Sequence, residues 1–312
     1  MNLLNFSTHY PDEQSCREAF KVYQDKQGVV CPKCGGLEHY WKRDKEQYEC
    51  KKCQTRQSLR SHTVMHGSQL SFRYWFIAMH LLTSTRKSFS ALELQRQLGH
   101  KYYDPIWAML HKLRQAMGAR DELYQLKGSL ELDDGFFSTD TKEEDKDQPL
   151  KRGRGSQRKS KVLVMAESEP VEGQKTKKGK PRKVGHIKML VMEDLKSDTV
   201  TELVEKNVSD VSKIDSDDST SYNKLAEAVE EHKPQVLAKE DINKVLPWVH
   251  LTISNAKRML LDVYHHMNPL YLQYYLNEFC YKFNRRYFGE KLFDRLLTAC
   301  VSRQNDFRYS IR

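Results

Sequence analysis

The 312-residue sequence contains no run of about 18 apolar residues, so no membrane-spanning helix is expected. Its first stretch, MNLLNFSTHYPDE, has neither a basic start nor a long apolar segment, and predicts no secretory signal peptide. No internal repeat is apparent, which sets aside repeat arrays. Cysteine is scarce and odd in number: there are seven, four in two CxxC pairs, with Cys16, Cys280 and Cys300 scattered. Without a secretory signal, this argues for a reducing compartment, where CxxC pairs serve metal or redox chemistry. Acid is in deficit, since 42 Asp and Glu against 52 Lys and Arg leave a net charge of +10. That excess points to a polyanionic partner, nucleic acid ahead of anionic membrane. With 38% hydrophobic residues the chain can still bury real cores, in one large domain or in two or three smaller ones.

What is present begins with QGVVCPKCGGLEHYWKRDKEQYECKKCQTRQ, residues 27–57. Cys31 and Cys34 form one pair and Cys50 and Cys53 the other, with fifteen residues between them, the spacing of a zinc ribbon. Four thiolates close a tetrahedral zinc site and leave no position for substrate, so the metal is expected to be structural. A ribbon this small has almost no core, and zinc should supply most of its folding energy. Tyr40, Trp41, Lys42, Arg43 and Arg56 either touch DNA or form a solvated face with structural aromatics.

Three helices are expected over residues 68–118. The first lies near SFRYWFIAMHLL. The second starts at Ser90 with Glu93 three residues on and stops near Gly99. The third is capped by Asp104, has Pro105 at its first position, and ends at Gly118. One face of the third helix carries Ile106, Met109, Leu110, Leu113 and Met117. The other carries Trp107, His111, Lys112 and Arg114. Two short helices after a longer one fit a helix-turn-helix, with Lys112 and Arg114 as candidate DNA contacts; the alternative is a purely structural bundle. Basic blocks follow over 138–183, where Lys151, Arg152, Arg154, Arg158 and Lys159 suit phosphate neutralisation or plain solvation.

Within this basic chain, SLELDDGFFSTD at 129–140 places Asp133 and Asp134 in an apolar strand. Alternation puts Glu131 and Asp133 on one face and Leu130 and Leu132 on the other. Strands are expected at KVLVMAES and KVGHIKMLVME, then a helix at DTVTELVEKN, then a strand, loop and helix over DVSKIDSDDSTSYNKLAEAVEEH. This order matches a ribonuclease-H-like core, in which acids of the first and fourth strands meet. Two carboxylates at one point require a cation, and Mg²⁺ (or Mn²⁺) with oxygen ligands answers that and supports phosphoryl transfer. Asp217 is the expected second ligand, with Asp218 as a cap. The late helical segment WVHLTISNAKRMLLDVYHH has no glutamate near its start. It offers Asn255 as a neutral oxygen ligand, with Lys257 and Arg258 both open as the nearby cation. His250, His265 and His266 are expected to be structural or DNA-contacting, because the acidic set already suffices. A helix starting at Pro269 should carry the aromatic tail YLQYYLNEFCYKFNRRYF.

Taken in order, CPKC…CKKC, SFSALELQRQLGHKYYDPIWAMLHKLRQAM, ELDDGFF, IDSDDSTSY, ISNAKRMLLDVYH and YLNEFCYKFNRR make the whole chain resemble the DDE-type insertion-sequence transposases, specifically the ISXO-type branch with an amino-terminal zinc ribbon. The resemblance implies an α/β multidomain chain: residues 1–60 with the ribbon at 27–57, a helix-turn-helix-like domain at 61–125, and an RNase H-like catalytic domain at 126–312, a mixed sheet flanked by helices. It implies metal-dependent cutting and joining of element ends, with Asp133, Asp217 and Asn255 as triad and Lys257 beside it; Arg258 is a further candidate DNA contact. It also implies double-stranded DNA partners (terminal inverted repeats and target), a homo-oligomer such as a dimer, and a bacterial cytoplasmic, nucleoid-associated location. The competing expectations are a non-catalytic DNA-binding regulator and a nuclease that never joins strands.

Overall fold

The structure, a computed structural model, describes residues 1–170, 182–235 and 246–302, except the side chains of Arg154 and Pro170. The second basic loop at 173–183 falls mostly outside them. The chain forms two compact units, Met1–Arg120 with the segment from Arg285 on, and Asp121–Asn284. No helix among the described residues is long and apolar enough to cross a membrane.

The first unit starts with helices α1 (Leu3–His9) and α2 (Glu13–Gln27). A reciprocal box sets the start of α2: the Ser15 amide donates to Asp12 Oδ1 at 2.8 Å, and the Asp12 amide donates to Ser15 Oγ at 3.3 Å. A small antiparallel sheet follows, with strands β1 (His39–Lys42), β2 (Gln47–Cys50) and β3 (Arg56–Ser58) in that order. Then come α3 (Phe72–Ser84), α4 (Ala91–Leu98) and α5 (Tyr103–Glu122). Ser90 caps α4 by accepting from the Glu93 amide at 3.0 Å, and Gly99 ends it in the left-handed region at φ 62°. The third helix does not end at Gly118, which is buried within it; helix-forming neighbours outweigh the roughly 1 kcal/mol that one interior glycine costs.

The first unit also contains α9 (Leu292–Val301), a segment that the sequence assigned to the catalytic domain. It packs against α2 and α3, with Phe293 meeting Phe6, Tyr10 and Phe76 at ring-centroid distances of 5.5–5.9 Å. The scattered cysteines are buried: Cys16 and Cys300 in this unit, Cys280 in the second. Burial pushes the Cys16 thiol up to about 12, so it is inert as a nucleophile.

The second unit is built on one five-stranded sheet with order β6-β5-β4-β7-β8. Its strands are β4 (Ser129–Ser138), β5 (Lys159–Pro170), β6 (Arg182–Met192), β7 (Lys213–Asp217) and β8 (Glu231–Gln235). The first three are antiparallel neighbours, whereas β7 runs parallel to both β4 and β8. Helix α6 (Ser197–Asn207) makes the crossover, and Val200 and Val204 pack on Leu130, Leu132, Leu163 and Ile214. The opposite face lies under α7 (Pro247–Leu261) and α8 (Leu272–Asn284), whose Val249, Ile253, Leu260 and Leu276 meet Val162, Val164, Ile187 and Met189. The aromatic segment opens with a 3₁₀ turn at Pro269–Tyr271 before α8 begins.

The helix expected over NKLAEAVEEH is absent. Two single 3₁₀ turns bury Tyr222 and Leu225, and Glu231 starts the edge strand β8. Pro234 fits that edge, where its missing N–H costs no ladder bond. The other edge, β6, is closed by two side-chain amides of α8. Gln273 exchanges hydrogen bonds with Val191 N (2.8 Å) and Met189 O (3.0 Å), and Asn284 with Ile187 N (2.8 Å) and O (3.0 Å). These amides take up part of that edge in place of a sixth strand.

At the irregularity between Ala166 and Ser168, Glu167 is held by the Tyr124 hydroxyl at 2.7 Å and the His186 amide at 2.7 Å. A Cβ on Gly185 would stand 2.3 Å from its Oε2. Gly185→Ala is therefore expected to destabilise the second unit by about 1–3 kcal/mol, read as a lower urea midpoint, because the anchored carboxylate has nowhere to move.

Candidate functional site

The acidic site begins with strand parity. On β4, Glu131 and Asp133 share one face with Val162, Val164 and Ala166 of β5. On β7, Asp215 and Asp217 lie on that same face, since the parallel ladder pairs Glu131 with Asp215 and Leu132 with Ser216. Asp133 and Asp217 each follow the last pair of this ladder, so they stand abreast on neighbouring strands. Asp134 points the other way and accepts from the Tyr222 hydroxyl at 3.3 Å. Burial, then the charges of Asp134, Asp133 and Asp217, push the Tyr222 phenol far above its ordinary pKa, so it stays a neutral donor beside all three acids. Asp218 is exposed and does not cap; Ser219 does, accepting from the Ser221 amide at 3.4 Å.

Glu131 is the residue to which sequence parity gave a face but no task. It is fully buried, accepting from the amides of Trp248 (2.7 Å) and Val249 (3.0 Å) and from the Ser168 hydroxyl (2.6 Å). Helix α7 needs this partner. Its N-cap, Leu246, makes no side-chain cap bond and Pro247 has no N–H, so the first free amides would otherwise be buried unpaired. Burial raises the Glu131 pKa against the opposing pull of those three donors. One strand thus carries both the clasp for α7 and, two residues on, Asp133. Gly135 lets the helix come close: a Cβ there would meet Phe137 at 3.0 Å and Ile253 at 3.5 Å.

The clasp fixes which side of α7 faces the acids. His250 Nδ1 lies 3.4 Å from Asp133 Oδ2, with both side chains largely enclosed, at 24% and 14% exposure. Burial lowers the His250 pKa and favours the neutral ring. Lys257, seven residues on and so almost directly below His250, sits 5.5 Å over the Phe137 ring. Burial, and after it the neighbouring charge of Lys159, lower the Lys257 pKa, while Asp133 raises it. Arg258 is exposed. Asn255 is half-buried on the same helix, about 140° round from His250 by helical spacing. His250, which the sequence reading took as structural or DNA-contacting, is the side chain of α7 that lies beside Asp133.

The basic candidates separate in the same way. Arg114 is 2% exposed and directs Nη2 to the Phe89 carbonyl at 3.4 Å, so it braces the start of α4 and has no open face for DNA. Lys112 is half-buried and donates to the His66 carbonyl. Arg152 is exposed, and the Arg154 side chain lies outside the described residues.

In the ribbon, two knuckles close with the Gly35 amide on Cys31 O (3.0 Å) and the Gln54 amide on Cys50 O (2.9 Å). They bring Cys31 Sγ to 3.5 Å from Cys53 Sγ, and Cys34 Sγ to 3.6 Å from Cys50 Sγ. Four sulfurs about 2.3 Å from one zinc would be about 3.8 Å apart, so the four thiols fit that ion. The Thr55 hydroxyl and amide pull Cys53 down to about 6, toward the thiolate. Among the described residues this is the only set of three or more His, Cys, Asp or Glu ligand atoms lying within 4.8 Å of one another. The ribbon's aromatics are structural in part: Trp41 packs on buried Tyr48 at 4.8 Å, and the Tyr48 hydroxyl donates to Asp25 of α2 at 2.7 Å. Tyr40 remains exposed.

Two outcomes follow from these contacts. The purified chain should carry close to one zinc, and Cys31→Ser should release it and unfold the ribbon, seen by metal analysis with loss of near-ultraviolet signal from Trp41 and Tyr48. Glu131→Ala should lower stability by about 2–4 kcal/mol in denaturant, because two amides of α7 lose their acceptor, while Glu131→Gln should cost less because it keeps an oxygen there.

Comparison with known proteins agrees with both parts. Residues 125–284, nearly the whole second unit, match the family model of the ISXO2-like transposase domain. Residues 11–56, which enclose all four zinc-type cysteines, match that of the transposase zinc-ribbon domain. No curated protein matches the chain. Among solved structures, a pre-cleavage Mos1 transpososome is similar at 12% identity over 75% of this chain and 80% of that one, with a TM-score of 0.31. The Mos1 strand transfer complex is similar at 13% identity over 75% and 79%, with a TM-score of 0.29. The superpositions are loose, and the assignment rests on the family matches, which take in Asp133, Asp217 and the thiolate cluster: the chain belongs to the ISXO2-like transposases with an amino-terminal zinc ribbon.

Proposed function

We propose that the second unit cuts and joins DNA at the ends of its own insertion sequence by divalent-cation-dependent phosphoryl transfer. The observation that carries this reading is the pairing of β4 with β7, which puts Asp133 and Asp217 on one face of neighbouring strands. Two like charges side by side on one sheet face repel unless a cation or a proton lies between them. Their hard oxygens fit Mg²⁺ or Mn²⁺. A divalent cation bound there supplies Lewis acidity to a phosphoryl oxygen and lowers the pKa of an attacking water or 3′-hydroxyl. The chain's own groups do the rest: Asp133 and Asp217 fix the charge, and Tyr222 steadies Asp134 on the far face. Lys257, on the stripe that faces Asp133, offers a cation to a DNA phosphate. The exposed Arg152 and Arg258 suit phosphate contacts, and a helix-turn-helix role for α4 and α5 suits duplex binding. Assembly as a homodimer on paired ends fits a reaction that joins two ends to one target.

A second reading, a regulator that binds without cutting, is favoured by one observation: the side chain that α7 sets beside Asp133 is an imidazole, His250 Nδ1 at 3.4 Å, and not a carboxylate. One experiment separates the two. Asp133→Asn and Asp217→Asn should each reduce cation-dependent cleavage and strand transfer of DNA bearing the element ends on the order of a thousandfold or more, while affinity for that DNA in a gel-shift assay is unchanged. Wild-type protein that binds the ends but yields no cut product in Mg²⁺ or Mn²⁺ supports the regulator.

A further inference from the structure

We propose that the cavity beside Lys257 receives one nucleotide swung out of the DNA duplex next to the cut, with its phosphate between Lys159 and Lys257 and its base against Tyr264. The inference rests on the proposed reaction at Asp133 and Asp217. It concerns what the protein does with the DNA beside the bond it breaks.

Position comes first. Strand β4 runs on from Asp133 to Phe137, β5 begins at Lys159, and α7 packs on both strands. The cavity opens between Phe137, Lys159, Lys257, Leu261, Tyr264 and His265, and holds about 500 Å³. That volume suits one small molecule and is too small for a duplex. It lies on the Asp133 side of the sheet, since Lys257 feels the charge of both Asp133 and Lys159. Tyr264 is fixed in place: its amide donates to the Leu260 carbonyl at 2.7 Å, and its ring packs on Tyr275 at 4.3 Å. Leu261 and His265 are exposed, so the wall is open to what approaches.

Chemistry decides the occupant. Among the described residues neither Lys159 nor Lys257 makes an ion pair, and the Lys257 ammonium rests 5.5 Å over the Phe137 ring. Two ammoniums on one cavity, with no carboxylate in its lining, favour an anion between them. The wider groove next to it, about 1050 Å³, shares Lys159 and His265 but carries Asp140, Glu143 and Glu144, which repel a phosphate. An inorganic anion would leave the apolar wall unused. A phosphate that carries a base uses both, because a fixed phenol ring offers a stacking face to any base. Unpairing costs least where a base is already mismatched. The cavity should therefore favour DNA with a defect at one particular position.

The test uses full-length, zinc-loaded protein and duplexes that join the element end to flanking DNA, without added Mg²⁺ or Mn²⁺ so that nothing is cut. Gel-shift affinities are measured with a single mismatch, or a single abasic site, moved one position at a time across the cleavage point. A mismatch at one position should tighten wild-type binding about tenfold, because the duplex no longer holds that base. Tyr264→Ala should weaken binding of intact DNA about five- to hundredfold, and the loss should vanish when that same position is abasic, since no base is left to stack. Tyr264→Phe should keep wild-type affinity. Lys159→Ala should lower the salt dependence of binding by about one phosphate contact. Leu261→Glu, at an exposed position, should abolish the mismatch preference by placing a carboxylate in the cavity, and it guards against a folding defect in the Tyr264 variant. A mismatch preference at no position, a Tyr264→Ala loss equal on intact and abasic DNA, or an unchanged salt dependence in Lys159→Ala would overturn the proposal. Any of these with normal cleavage by wild type in Mg²⁺ or Mn²⁺ sinks this inference alone. A mismatch preference that depends on Tyr264, with no cleavage under any cation, sinks the proposed reaction and leaves the role of the cavity standing.

Discussion

The parallel pairing of β4 and β7 is the constraint on which the rest of the second unit depends. Antiparallel neighbours can be joined by a short turn, but a parallel pair needs a crossover, and here the chain spends β5, β6 and α6 in returning to lie beside its first strand. The result is a ladder whose last pair, Leu132 with Ser216, is followed on each strand by an aspartate, Asp133 on β4 and Asp217 on β7. A one-residue slip would send Asp217 to the opposite face, under α6 instead of α7. The hydrophobic set fixes the register. Leu130, Leu132 and Ile214 must face Val200 and Val204, and that requirement turns Asp133 and Asp217 the other way. Packing on one side of the sheet therefore aligns charge on the other.

The second dependence is the clasp between Glu131 and α7. A buried carboxylate is costly alone, and this one is held by three donors, two of them the first free amides of a helix. Strand and helix thereby satisfy each other. Because Glu131 and Asp133 are neighbours on one strand face, the clasp that starts the helix also sets its rotation over the acids. The first unit uses a different logic. Its ribbon buries little beyond Tyr48 and relies on four thiols drawn together by two closed knuckles, with Tyr48 and Trp41 tying the module to α2. Glu13 of α2 in turn accepts from the Phe72 and Arg73 amides at 3.0 and 2.9 Å, so an acid at the head of one helix caps the next.

Much of this was legible in the chain because it is encoded at short range. CxxC spacing predicts knuckles, Ser90 and Gly99 bracket α4, and alternation in SLELDDGFF separates Asp133 from Asp134. The misreadings share a cause. Arg114 looked like an exposed cation because it lies opposite the apolar stripe of α5, but it is buried and its guanidinium turns to Ser88 and Phe89 just before α4. NKLAEAVEEH has helical composition, yet burial of Tyr222 and Leu225 against α6 and the pairing of Glu231–Gln235 with β7 override it.

The sequence by itself determined the local chemistry: which thiols share a metal, which strand residues share a face, where helices start, and the basic balance of the chain. These follow from spacing and backbone periodicity, which operate over a few residues. Only the tertiary structure decided that Asp133 and Asp217 share a sheet face on neighbouring strands, that Arg114 is enclosed, that α9 joins the first unit, and that His250 is the side chain of α7 beside Asp133. Each of those depends on strand register or helix rotation set by packing between residues far apart in the chain, and no local pattern contains it.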